Sequence, residues 1–477
     1  MNRDFPFYLA GAASRSSQTL DVLCKASGEK LCEVAVADSR DLERALDAAV
    51  EAAPAMAKIP SWRRQEILTY VSGSIDRRRE ELAEVLARES GKTLKEARVE
   101  VGRAIETFKV AGEEALRIGG EWMPLDITPG TEELQSIQRR FPIGPCALIT
   151  PFNFPLNLVA HKVGPAIAAG NPFIVKPASL TPVSALILGE ILSEAGLPEG
   201  AFSILPLGRE DAENLAGDPR MKLLSFTGSP DVGWRLKSLA GRMKVSLELG
   251  GNAACVVDEG ADLDNVTQRI TAGAFGQAGQ SCISVQRIFA HRSLYEELRA
   301  KLVTAAKALK TGDPLDDNTE LGPLISRGDA ERVENWIREA VDQGATLLCG
   351  GTRHDSWMEA SLLEKVPDSL PLSSQEAFGP VAILEAFDDF PSVVERVNKS
   401  EYGLQAGFFT DNLGHAFHAF ENCEVGGVVI GDIPSLRVDA MPYGGVKASG
   451  LGREGLRFAI EEMTEPRLML LRRRLNK

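Results

Sequence analysis

Apolar and polar positions along this chain follow two periodicities that trade places at defined points. From about Asp41 to Gly119, apolar residues recur at three- and four-residue intervals, as in Arg79-Glu80-Glu81-Leu82-Ala83-Glu84-Val85-Leu86, and that spacing predicts helices. Gly119-Gly120 and Pro129-Gly130 then punctuate a more extended stretch. Beyond it, short apolar runs near 146–150, 172–176, 202–205, 222–226 and 245–249 predict strands. Helical patterns separate them, such as 181–195, opened by Thr181-Pro182 and closed by Gly196. A second alternating block begins near Ala254, with apolar runs at 285–290, 381–386, 405–410 and 426–431. Strands alternating with helices of this length imply parallel pairing. The expected fold class is therefore α/β, with two open parallel-sheet, Rossmann-like domains. The tail from Arg467 to Lys477 alternates apolar and basic residues and reads as an edge strand, a feature that another subunit often covers.

Composition narrows the class without changing the architecture. The 477 residues are 44% hydrophobic and 25% charged, the balance of a globular domain protein. Acidic side chains outnumber basic ones by 67 to 53, for a net charge of -14, which argues against a general nucleic-acid binder. The N-terminus carries an early acid and no apolar core of the secretory type, and no run approaches the roughly 18 apolar residues of a membrane helix. The seven cysteines (24, 32, 146, 255, 282, 349 and 423) are scattered and free of Cys-x-x-Cys spacing. A reducing cytosol is the expected home, without a disulfide framework or a metal site. His415 and His418 stand three apart with no third ligand close by and read as a helix-surface pair. The Arg472-Arg473-Arg474 run reads as solvated or subunit-contacting strand.

In open α/β sheets ligands bind beyond the carboxyl ends of the strands, which directs attention to Asn153, Lys176, Gly208, Gly228 and Glu248. Around them lie Thr150-Pro151-Phe152-Asn153-Phe154-Pro155, Val175-Lys176-Pro177, Phe226-Thr227-Gly228-Ser229 and Leu247-Glu248-Leu249-Gly250-Gly251-Asn252. Gly279-Gln280-Ser281-Cys282 and Glu376-Ala377-Phe378-Gly379-Pro380 follow. In this order, across essentially the whole chain, the six motifs closely resemble the aldehyde dehydrogenase superfamily. The resemblance implies residues 1–119 and 141–252 as a dinucleotide-binding domain, 253–447 as a catalytic domain, and 120–140 with 448–477 as a bridging, oligomerisation arm of a homodimer or homotetramer.

The chemistry implied is oxidation of an aldehyde to its acid. Hydride leaves more easily from a tetrahedral adduct, so a thiolate attacks the carbonyl first, and Cys282 is the implied nucleophile. No histidine lies near it in sequence, so electrostatic support is expected rather than a Cys–His pair. Asn153 matches the side-chain donor to the adduct's oxyanion, partnered by the Cys282 backbone N–H. Glu248, between two leucines, matches the base that hydrolyses the thioester, its carboxylate partly desolvated and its pKa raised. Relatives that pass the acyl group to coenzyme A generally lack this base, so release of the free acid is favoured. A cysteine hydrolase or thioesterase is the rival; it would need a histidine base, and none of the five histidines sits in a matching motif.

The cofactor implied is NAD or NADP. The pattern Gly450-x-Gly452-x-x-Gly455 is a decoy far from the regular strand–helix block. The pyrophosphate site is expected at Gly228, Ser229 and Val232, where a strand gives way to a helix. Thr150, Pro151 and Leu249 are also assigned to the cofactor. Lys176 is assigned to the adenosine ribose, Glu376 to the nicotinamide ribose, and Phe378 to packing nearby. Many NAD-preferring relatives have a glutamate three positions after the lysine; this chain has Ser179, with Arg209 after Gly208, so NADP use is permitted. Carried over from the family, the substrate mouth holds Arg103, His161, Ser281, Ile283 and Arg437, suiting a short polar or anionic aldehyde such as a semialdehyde or hydroxyaldehyde. Ser281 stands where some phosphate-specific relatives have an arginine, which counts against a phosphorylated substrate. The competing reading makes both arginines ordinary surface or salt-bridged residues.

Overall fold

The computed structural model describes residues 4–472. Each apolar run of the first block is a strand buried on both faces. In Cys146–Ile149 all four side chains are buried, as they are in Leu223–Thr227. Strands of this kind read as continuous apolar runs because helices cover both sides of a parallel sheet. The sheet order is Ala12–Ser14, Phe7–Leu9, Phe202–Ile204, Phe173–Lys176, Cys146–Ile149, Leu223–Thr227, Lys244–Glu248, Gly450–Leu451. The five central strands are parallel, and antiparallel strands close both edges.

A second sheet runs Thr346–Cys349, Ser361–Glu364, Val381–Phe387, Val285–His291, Ala253–Val257, Gln405–Phe409, Gly427–Ile430. It is parallel except at Thr346–Cys349. The arm is an antiparallel ribbon of Gly120–Pro124, Leu134–Pro142 and Thr464–Arg472, with the last as an exposed edge. The mixed α/β architecture with parallel sheets is thus the one expected. The segment 448–463 contributes no strand to this ribbon. Gly450–Leu451 pairs with Leu247–Glu248, and the helix Leu456–Glu462 buries Leu456 and Ile460 in the first core. The end of the expected tail strand, 473–477, falls outside the described residues.

Two helices matter for the site. Leu94–Ala115 starts at a capping box in which Thr93 and Glu96 satisfy each other's backbone N–H groups. Asn157–Ala169 buries all thirteen of its residues, among them His161 and Lys162. It has no side-chain cap of its own; Glu100 supplies one from the neighbouring helix, its Oε1 accepting from the Leu156 and Asn157 N–H groups at 3.0 and 3.1 Å. A carboxylate there satisfies free donors at the positive end of the helix dipole.

Candidate active site

The turn that follows strand Cys146–Ile149 carries Asn153, and it is clamped from beneath. Lys92 Nζ donates to the Asn153 carbonyl at 2.7 Å and pairs with Glu100; Gln277 donates to the same carbonyl. The Asn153 side chain donates through Nδ2 to the Gln280 carbonyl at 3.0 Å, two residues before Cys282, and its other N–H has no partner among the described residues. The segment entering Cys282 is strained: Gln277 and Ala278 hold φ of 52° and 53°, a region that L-residues enter rarely and at a cost. Gly251 lets the two halves of the site meet. A Cβ there would lie 2.2 Å from the Cys282 carbonyl oxygen, and its N–H donates to Glu376 Oε1 at 2.9 Å.

One cavity of about 1450 Å³ gathers these groups. Cys282, Asn153 and Glu248 line it, together with Pro151, Gly228, Ser229, Leu249, Glu376, Phe378, Arg103, Ser281, Ile283 and Arg437. Thr150, Lys176, Ser179, Gly208, Arg209, Val232 and His161 do not. The first six of those lie at or just beyond the carboxyl ends of the first sheet's strands. His161 departs from the expectation of a substrate-mouth residue. Its helix is wholly buried, and its Nε2 is spent on Asp439 Oδ1 at 2.7 Å, so it stands behind the wall.

Burial sets the protonation states. Glu248 is buried with neither carboxylate oxygen bonded among the described residues. Desolvation and then the nearby Glu454 charge raise its pKa well above the ordinary carboxylate range. Glu376 is pushed up to about 7 by burial, against the Gly251 hydrogen bond. The Cys282 thiol, open to the cavity on one side, is pushed up to about 12 by the surrounding protein; the Tyr443 hydroxyl opposes this. Tyr443 Oη lies 3.1 Å from Cys282 Sγ, and no histidine does. Nothing in the local sequence around Tyr443 signals this contact, which spans 161 residues.

A network of buried charge backs the wall. Asp439 accepts from both ends of the Arg103 guanidinium, at 3.1 and 2.6 Å. Although burial would raise it, hydrogen bonds from His161 and Arg103 hold the Asp439 carboxyl below its ordinary range. Glu454 binds Arg437 at 3.0 Å and Lys162 at 3.1 Å, and these cations outweigh desolvation to keep it low. Both arginines are therefore salt-bridged, and both still line the cavity. Burial, then Arg437, lowers the His161 pKa. Arg103, Lys162 and Arg437 thus meet the two carboxylates Asp439 and Glu454 behind and along the cavity wall.

A sequence model of the aldehyde dehydrogenase family matches residues 12–469. The chain belongs to the aldehyde dehydrogenase family. It is 42% identical to a 3-sulfolactaldehyde dehydrogenase of Priestia aryabhattai, covering 98% of each chain. Aldehyde dehydrogenase 21 of Physcomitrella patens, solved in complex with the reaction product succinate, is 48% identical with a TM-score of 0.98, covering 99% of each chain. A glyceraldehyde-3-phosphate dehydrogenase of Methanocaldococcus jannaschii, complexed with NADP, is 36% identical with a TM-score of 0.92, over 96% of this chain and 100% of that one. Aldehyde dehydrogenases are oxidoreductases that use NAD or NADP and a cysteine–glutamate mechanism.

Residues at the first sheet fit such a dinucleotide. The Thr150 and Thr227 hydroxyls are buried without a partner. The Lys176 ammonium has no ion pair or hydrogen bond among the described residues, and burial lowers its pKa. The helix Pro230–Leu239 begins with Pro at its first position and no side-chain cap, so its leading N–H groups stay available to an anion. Gly450-x-Gly452-x-x-Gly455 is occupied elsewhere: a Cβ on Gly450 would lie 2.0 Å from the Leu247 carbonyl oxygen, because that segment is the edge strand beside Glu248. Among the described residues no group of three or more metal-ligating side chains could hold a metal ion, and no helix is long and apolar enough to cross a membrane. His415 binds Asp258 at 2.6 Å and stacks on Phe390.

Proposed function

We propose that this aldehyde dehydrogenase oxidises a short aldehyde bearing an anionic or strongly polar group and releases the free acid. The observation that carries the substrate class is that the Arg103 and Arg437 guanidinium groups line the cavity that holds Cys282. A long apolar aldehyde would take water from these polar groups without offering them a hydrogen-bond partner. The relatives named for 3-sulfolactaldehyde and crystallised with succinate act on or release small anions, which supports the reading.

In this reading Lys176, Ser179, Gly208, Arg209, Gly228, Ser229, Val232 and Leu249 hold the adenosine and pyrophosphate end of NAD or NADP. Thr150, Pro151, Glu376 and Phe378 hold the nicotinamide end. When bound, the cofactor accepts hydride from the substrate carbon. Everything else falls to side chains. The Cys282 thiolate attacks the carbonyl. Asn153 Nδ2 and the Cys282 N–H take the developing oxyanion, each such donor contributing roughly 3 kcal/mol of transition-state stabilisation. Ser281 and Ile283 border the substrate. Glu248 then takes a proton from water attacking the thioester, a task suited to a carboxylate whose proton affinity burial has raised.

A homo-oligomer completes the reading, since the arm exposes Leu468, Met469, Leu470 and Leu471 along its edge strand. Seven unpaired cysteines suit a reducing compartment, the cytosol. The test is a panel of succinate semialdehyde, lactaldehyde, a sulfonated aldehyde and hexanal, each with NAD and with NADP, read by absorbance of the reduced cofactor. Preference for the polar aldehydes is expected; comparable kcat/KM for hexanal and the semialdehyde would sink the substrate class. Aldehyde-independent thioester cleavage would favour the hydrolase instead.

A further inference from the structure

Within the dehydrogenase reading, one buried contact to the reacting sulfur has no assigned role. We infer that the Tyr443 hydroxyl is a catalytic donor to the Cys282 thiolate, the electrostatic support that a histidine supplies in other cysteine enzymes. Tyr443 is 3% exposed, and Cys282 Sγ at 3.1 Å is the sole partner of its hydroxyl among the described residues. A buried hydroxyl is rarely left with a poor partner. A neutral thiol is only a weak donor and acceptor, whereas a thiolate accepts a charge-assisted hydrogen bond about twice as strong as a neutral one. The pair is therefore better matched after ionisation than before it.

The phenol is held for this task. Tyr443 and Glu454 exchange backbone hydrogen bonds, 3.0 Å from the Tyr443 N–H and 2.6 Å in return. Arg437, bound by Glu454, lies with its guanidinium carbon 3.7 Å from the Tyr443 ring centroid. A cation on the face of a phenol draws charge from the ring and makes its O–H a better donor. A phenylalanine would fill the same space and keep the stacking, so packing alone does not call for the hydroxyl.

Other charges face the sulfur. Glu376 and Glu248 oppose its ionisation, and Arg437 and Tyr443 favour it. Tyr443 faces the same Arg437 and Glu248. Glu454, Lys162 and Arg453 act on Glu248 from behind. Tyr443 keeps its own proton; the thiol proton passes to solvent, and the sulfur gains the electron pair with which it attacks the aldehyde.

The experiment is alkylation of Cys282 by iodoacetamide against pH in the full chain, with its unfolding temperature as a control and without cofactor or substrate. In Tyr443→Phe the apparent thiol pKa should rise by roughly one unit, with alkylation near neutrality slowed about tenfold and recovering at higher pH. The burst of reduced cofactor should slow by a similar factor while KM holds. Superimposable alkylation profiles would overturn the inference. Should Tyr443→Phe fold poorly, 3-fluorotyrosine at 443 keeps the shape and donates more strongly. It should lower the thiol pKa, and an unchanged value would overturn the inference equally. A wild-type burst that survives Cys282→Ala would instead overturn the reading of Cys282 as nucleophile, an outcome separable from either tyrosine result.

Discussion

Lys92→Met tests whether the clamp beneath Asn153 is built as described. The Lys92 and Glu100 side chains are 0% and 1% exposed, so the substitution leaves a carboxylate buried without its cation. Breaking a buried pair in this way typically costs 3–5 kcal/mol. Here Glu100 Oε1 keeps its two backbone donors, Leu156 and Asn157, which places the expected loss near the lower limit, about 3 kcal/mol. Adding Glu100→Gln removes the stranded charge while retaining an acceptor for those donors, so the double variant should recover all but about 1 kcal/mol. The assay is urea unfolding followed by circular dichroism and fluorescence. The carbonyl of Asn153 also loses a donor, so the burst rate should fall on the order of tenfold or more, since a 1 Å misplacement can cost 10²-fold. A Lys92→Met protein within 1 kcal/mol of wild type, or a double variant as unstable as the single, would refute the reasoning.

Three further outcomes follow from the same geometry. Glu248→Gln should leave a burst of reduced cofactor followed by a slow steady state; equal loss of burst and turnover would place Glu248 earlier in the reaction. Glu376, with a pKa raised to about 7, holds a proton in the folded state that the unfolded chain releases near 4.5, so its contribution to stability is present at low pH and lost as pH rises through that window. Glu376→Gln should therefore gain on wild type from about pH 5 to about pH 8, by up to about 3 kcal/mol, in parallel urea titrations. Arg103→Met should raise KM for a carboxylated semialdehyde roughly 10- to 100-fold, the worth of a hydrogen bond to a charged group, with hexanal little affected; equal effects on both would return Arg103 to a purely structural role.

What the sequence disclosed follows from what each residue depends on. Strands such as Cys146–Ile149 were legible because burial on both faces writes itself as an unbroken apolar run. The cluster of Cys282, Asn153 and Glu248 was approachable because each sits in a distinctive local motif at the end of a strand or turn. Thr19–Leu23, by contrast, mixes exposed and buried positions at a sheet margin and carries no such signature. The pairing of Lys162 with Glu454 spans 292 residues, and the contact of Tyr443 with Cys282 spans 161. Neither partner's local sequence hints at the other. His161 was misplaced for the same reason: its helix was predictable, but the direction its ring faces is decided by Asp439.

Glu248 sits beside Gly450, a strand neighbour 202 residues later in the chain, and the same late segment supplies Glu454 and, just before it, Tyr443. During synthesis Cys282 therefore emerges well before Tyr443 and Gly450. A nascent chain with Cys282 already outside lacks the strand that screens Glu248 and the phenol that faces the sulfur. A chain interrupted before residue 443 therefore lacks both.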